Sequence, residues 1–171
     1  TASEMAFCRA EGALAGWSNM GGSAKDLYEE GVKLSFEQWG AGSATAYLAD
    51  NTSTEKNYVD PISEYGGDVS AVSNITIKWD DSATDEQKME RLITQKWIAM
   101  FPNGQEGWSE IRRTGYPKVF PLAQSTDYSI QVANRIPFDI DEATNNKANY
   151  IKAVQLLKGN DDYATKMWWQ R

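Results

Sequence analysis

Side chains able to do chemistry are few in this chain, and their types narrow the options quickly. Histidine is absent, which removes the commonest general base and metal ligand. Cys8 is the single cysteine, so no internal disulfide can form. Its setting, Met5-Ala6-Phe7-Cys8-Arg9, reads as one turn of an amphipathic helix and predicts a buried thiol. Three adjacent acid pairs, Glu29-Glu30, Asp80-Asp81 and Asp161-Asp162, are the nearest thing to glycosidase carboxylates. Glycosidases need an acid and a base held apart across a cleft, which neighbours in sequence do not supply, and polar faces and helix caps account for all three. Arg112-Arg113 offers guanidinium forks for an anion. The same pair suits the C-terminal end of a short helix, where cations favour the dipole and reach Glu106 or Glu110; this structural reading is preferred. No G-x-S-x-G elbow is present. The expectation is a protein that is not an enzyme and has no cofactor and no metal; the stretch DNTSTEKNYVD lacks the ligand ladder of an EF-hand.

Aromatic residues are the richer signal, with 7 Trp, 8 Tyr and 5 Phe. Sugar rings present apolar C–H faces that stack on aromatic planes, while their hydroxyls pair with amides and carboxylates. Trp17, Trp97, Trp108 and Trp168 fall on apolar helix faces and are expected in the core. Tyr47, Tyr58 and Tyr65 lie in a polar stretch near Asn51, Asn57 and Asp60 and are the candidate ligand-binding residues.

The elements that must hold these residues are mainly helical. Residues 1–40 read as a helical hairpin: Ser3 to Trp17, capped at Thr1 or Ser3, with Met5, Cys8, Leu14 and Trp17 on one face. A Gly-rich turn follows, and Ser23 caps a second helix that places Leu27, Tyr28, Leu34 and Trp39 at helical spacing. Small residues at Ala10, Ala13, Ala24 and Gly31 allow close approach, as in tetratricopeptide-type helix pairs. Residues 41–83 form an irregular excursion, with a short helix at Thr45–Ala49 and a possible strand at NITIKW. Residues 84–171 carry the C-terminal helices and loops. Thr84 with Gln87 makes a capping box, and Met89, Leu92, Ile93, Trp97 and Met100 form an apolar stripe. A shorter helix at about Gln105–Arg113 leads through Pro117, Pro121 and Pro137 to an Asn-capped helix with Tyr150, Val154 and Leu157, stopped at Gly159. Asp161 or Asp162 caps a last short helix ending in Trp168-Trp169.

The net charge of −7 argues against nucleic acid as a partner. It divides into 16 acids and 6 bases over residues 1–90 and 8 acids and 11 bases over residues 91–171, a contrast that permits attraction across the fold. No apolar run reaches the length of a membrane span, no signal peptide is present, and the chain starts at Thr1.

Taken in order, EMAFCRAEGALAGW, MGGSAKDLYEEGVKLSFEQWG, ITIKWDDSATDEQKMERLITQKW, QKWIAMFPNGQEGWSEIRRTGYP, NRIPFDIDEATNNKANY and KMWW resemble the C-terminal part of the SusD/RagB family. The resemblance covers nearly the whole chain. It implies a fragment of a SusD-like α fold, with further hairpins and a lipid-bearing cysteine expected ahead of Thr1; Cys8 is not that lipid site. It further implies a surface-exposed outer-membrane lipoprotein of Bacteroidetes-type bacteria. Such a protein binds oligosaccharides without cleaving them and passes them to a SusC-like TonB-dependent transporter. The alternative is a segment that docks on that barrel or on the N-terminal remainder of the same protein and makes no direct ligand contact.

Overall fold

The computed structural model describes residues 1–62, 67–120 and 132–170. Seven helices are found among them: α1 (Ala2–Leu14), α2 (Ala24–Trp39), α3 (Thr45–Ala49), α4 (Asp85–Ala99), α5 (Gly104–Thr114), α6 (Ile140–Asn145) and α7 (Lys147–Leu157). The mainly α fold expected from the sequence is observed. None of these helices is long and apolar enough to cross a membrane.

Helix starts follow their caps. Thr1 and Glu4 form a capping box on α1, Thr84 and Gln87 form the expected one on α4, and the Ser23 hydroxyl accepts from the Asp26 N–H on α2. α1 and α2 pack as an antiparallel hairpin, with Gly31 against the ring of Phe7 and the Ser3 hydroxyl donating to the Gly31 carbonyl at 2.7 Å. α4 lies across the pair, and Phe7, Ala10, Leu27, Tyr28, Val32, Leu92 and Ile93 join Trp79 in one core.

The buried face of α1 differs from the expected one. Ser3, Ala6, Phe7 and Ala10 are buried, whereas Met5, Cys8 and Trp17 are exposed. The reason is proximity: the backbones approach closely at small residues, Phe7 fits only because it lies against Gly31, and Met5 and Trp17 are left outside. Cys8 is therefore a surface thiol, correcting the expectation that it is buried. Trp97 and Trp168 are also exposed, Trp108 is half-buried, and the buried tryptophan is Trp79.

Four further expectations are corrected. Residues 74–79 form no strand; their polar backbone is tied to helix side chains instead. Residues 161–169 form turns, because the Asp162 carboxylate accepts from the Ala164 and Thr165 N–H groups and closes a loop rather than a helix. α6, capped by Asp139, was not foreseen. α7 ends with Lys158 in the left-handed conformation at φ 55°, one residue before Gly159. Pro121 lies outside the described residues.

Candidate functional site

The excursion is stitched to itself and to the helices by side chains that replace a sheet ladder. Glu55 accepts from the backbone N–H groups of Val72 and Ser73 at 2.7 and 2.8 Å, Asn57 accepts from Ala71, and Tyr58 and Val69 exchange both backbone bonds. Ser73 then donates to Glu90 at 2.6 Å, Arg91 donates to the Thr76 carbonyl and the Tyr28 hydroxyl to the Ile77 carbonyl. Each tie satisfies a polar group that a loop lying on a helix would otherwise leave unmet.

Between this stitched loop, α4 and the segment after α5 runs an open groove of about 550 Å³. Tyr47, Trp97 and Phe120 give it ring faces, and Gln95, Glu55 and Lys118 give it an amide, a carboxylate and an ammonium. Lys118 is steered by Glu90, 3.1 Å away. Of the three tyrosines singled out from sequence, Tyr47 lies in the groove. It is half-buried rather than exposed: its ring leans on Phe36 at 5.2 Å and its hydroxyl donates to Gln95 Oε1 at 2.9 Å. Burial pushes its pKa up, against the opposing hydrogen bond to Gln95, so the phenol stays neutral. Tyr58 is exposed and does not line the groove, although its ring lies 6.2 Å from that of Phe120, which does. Tyr65 lies outside the described residues.

Gln95, Lys118 and Phe120 were not among the residues singled out, and Trp97 was expected in the core rather than at a site. The sequence reads Trp97 into the apolar stripe of α4 with Met89, Leu92, Ile93 and Met100, but it is 40% exposed, and the neighbouring Lys96 is buried in its place.

The acid pairs have structural partners. Asp80 accepts from the Ser82 N–H and hydroxyl, Asp81 from the Trp79 indole, and Asp161 pairs with Arg135 at 2.6 Å. Glu29 and Glu30 face Lys33 and Arg9 at 3.7 and 3.9 Å. Among the described residues no three potential metal ligands cluster. Arg113 makes the expected pair with Glu110 and an unforeseen one with Glu11, while Arg112 lies over the rings of Trp108 and Trp169. The groove thus offers aromatic planes beside hydrogen-bonding groups, the complement of a ring with an apolar face and a hydroxyl rim.

Residues 1–170 match the family model described as SusD-like, SusD and RagB outer membrane lipoprotein. Among solved structures, the chain is similar to a SusD-like protein from Bacteroides thetaiotaomicron, at 48% identity and a TM-score of 0.84, over 96% of this chain and 35% of that one. A chitin-binding SusD homolog from Flavobacterium johnsoniae is 46% identical, with a TM-score of 0.86, over 98% of this chain and 35% of that one. A SusD homolog from Bacteroides uniformis is 44% identical, with a TM-score of 0.87, over 100% of this chain and 36% of that one. The chain therefore spans about a third of the length of these relatives. No curated protein matched it.

Proposed function

The chain belongs to the SusD/RagB family of outer-membrane lipoproteins, and from that premise we propose that it serves in non-catalytic capture of oligosaccharides at the bacterial surface. The captured sugar is handed to a TonB-dependent outer-membrane transporter. One observation carries the reading for this part of the protein: the groove sets Tyr47, Trp97 and Phe120 beside Gln95, Glu55 and Lys118. Ring faces grip the C–H side of a sugar, and the three polar groups meet its hydroxyls. The name of the Flavobacterium relative makes N-acetylglucosamine oligomers the first ligand to try.

Calorimetric titration with these oligomers, and with neutral gluco-, xylo- and manno-oligosaccharides, tests it. Expected is binding that Trp97→Ala weakens when measured well below that variant's own melting temperature, and no release of reducing ends on prolonged incubation. Absence of binding to every oligomer, or indifference to Trp97→Ala, would count against the groove.

A second reading rests on a different observation. Trp39, Trp97, Ile98 and Phe101 are all exposed, and the Trp39 and Phe101 rings meet at 6.0 Å. In a protein of the relatives' length such a strip is suited to dock against the remaining polypeptide or the transporter barrel. Self-association of the chain in sedimentation, relieved by Phe101→Ser while sugar binding persists, would support docking by the strip alone.

A further inference from the structure

The neighbouring arginines of α5 have opposite fates. Arg113 is paired twice: its guanidinium meets both oxygens of Glu11 and one of Glu110, whose other oxygen takes Lys96. Two cations face two carboxylates there, so that cluster is neutral. Arg112 has no hydrogen bond or ion pair with any described residue, and its Nε is buried without an acceptor. Arg91 also keeps a buried unpaired nitrogen, Nη1, but that side chain is closed to any ligand, at 5% exposure.

Arg112 is held by aromatic faces instead. Its guanidinium carbon lies 4.0 Å from the centroid of the Trp108 ring and 4.6 Å from that of Trp169. Both indoles are fixed from behind. Trp108 donates to the Ala133 carbonyl at 2.6 Å, and the tail carrying Trp169 is anchored by Gln170 donating to Asn134 at 2.9 Å and by Asn134 donating to the Ala164 carbonyl at 2.7 Å. Two indole faces against the guanidinium leave its N–H edge as the polar approach, and that edge matches the two oxygens of a carboxylate. Desolvation lowers the Arg112 pKa from its usual value, as expected of a cation held without a counter-charge. Trp168, adjacent in sequence to Trp169, is 91% exposed and supplies an unused ring face at the same end of the molecule.

We infer that Arg112 with Trp108, Trp168 and Trp169 forms a second sugar subsite, separate from the groove, that selects oligosaccharides bearing a carboxylate, such as uronic acids. This deepens the glycan-binding reading and rests on it. A sugar face on the indole with its carboxylate on the guanidinium edge gives Arg112 the anionic partner that no described residue supplies. The overall charge of −7 works against any anion, so a preference for an acidic ligand must come from a local group such as this.

The test uses trigalacturonate and its fully methyl-esterified, neutral counterpart, titrated at low ionic strength into the wild-type chain, Arg112→Gln and Arg112→Lys. Wild type should bind the acid about tenfold more tightly than the ester, the scale of one charge-assisted hydrogen-bonded contact. Arg112→Gln should erase that preference, so that acid and ester bind alike, and the acid should perturb tryptophan fluorescence in wild type more than the ester does. Arg112→Lys should fall between, keeping the charge without the fork. Equal affinity for acid and ester in wild type overturns the inference whatever the variants do. So does an acid preference that survives in Arg112→Gln. Neutral oligomers bound with no acid preference would remove this subsite alone, whereas failure of every oligosaccharide to bind would remove the glycan reading with it.

Discussion

The Lys96 ammonium on α4 lies 2.8 Å from the Glu110 carboxylate on α5, with the two side chains 3% and 5% exposed. Glu110 also accepts from Arg113 at 2.7 Å, and Arg113 reaches Glu11 on α1, so one line of alternating charges ties three helices together. Desolvating an ion costs several kcal/mol, and only a partner with good geometry offsets it. Glu110→Gln should therefore destabilise the chain by about 3 kcal/mol, because it leaves the Lys96 charge buried and weakly met. Arg113→Ala should cost less, since that side chain is 40% exposed and its pairs are partly screened. Denaturant melts of the two variants give the comparison; a Glu110→Gln loss no larger than that of Arg113→Ala would show that the pair is not what holds α4 to α5.

The same pair sets a pH limit. Burial alone would raise the Glu110 pKa, but hydrogen bonds from Arg113 and Lys96, with their charges, outweigh it and leave the pKa lowered. A carboxylate lowered by folding contributes stability that is present above its unfolded value, about 4.3, and is lost as pH falls through the folded value. Stability should thus be flat near neutrality from this group and decline below about pH 4. In Glu110→Gln the acid decline should be shallower. Identical slopes in wild type and variant would mean that other carboxylates govern the acid limb.

Much of the frame could be read from the residues. The Thr84–Gln87 box, the Ser23 cap and the helix at Thr45–Ala49 are local signals, and each appears where its chemistry places it. Lys96 could not be read this way, because burial of a charge depends on a partner fourteen positions on. The buried face of α1 was missed for a different reason. Ser3 and Ala6 carry little hydrophobic signal, whereas Ala10 and Gly31, read as points of close approach, are both buried in the hairpin. In the groove, Tyr47 was legible as a candidate but its half-burial was not, since that depends on Phe36 and Gln95 from other helices. The ties from Glu55 and Asn57 to residues 71–73 run from side chain to backbone and have no period to detect.

Gly31 allows a sharp test of the hairpin. A β-carbon there would meet the Phe7 ring at 2.8 to 2.9 Å, well inside contact distance, and that ring is fully buried. Gly31→Ala should destabilise by about 1–3 kcal/mol despite its better helix propensity, because the packed ring has nowhere to move. Combining it with Phe7→Leu should cost less than the sum of the two single changes. Strict additivity in thermal melts would indicate that the helices shift apart at no cost, contrary to the packing seen.

Tyr47 and Tyr58 should separate structure from capture. Tyr47→Phe keeps the ring but leaves Gln95 without its donor, so it should lower stability by about 1 kcal/mol, or roughly 2–4 °C for a chain of this size, and barely alter sugar affinity. Tyr58 is different: it is 47% exposed and its backbone bridge to Val69 does not depend on the side chain. Tyr58→Ala should leave the melting temperature unchanged. If the ring takes part in capture beside Phe120, the variant should lose less than about tenfold in affinity, because stacking supplies roughly 0.5–1.5 kcal/mol beyond burial. A lowered melting temperature with intact affinity would instead make Tyr58 a prop for Phe120, since the two rings lie 6.2 Å apart and removing one exposes the other. Melting curves and titrations on the same preparations distinguish the outcomes, because the capture role moves affinity alone and the prop moves stability.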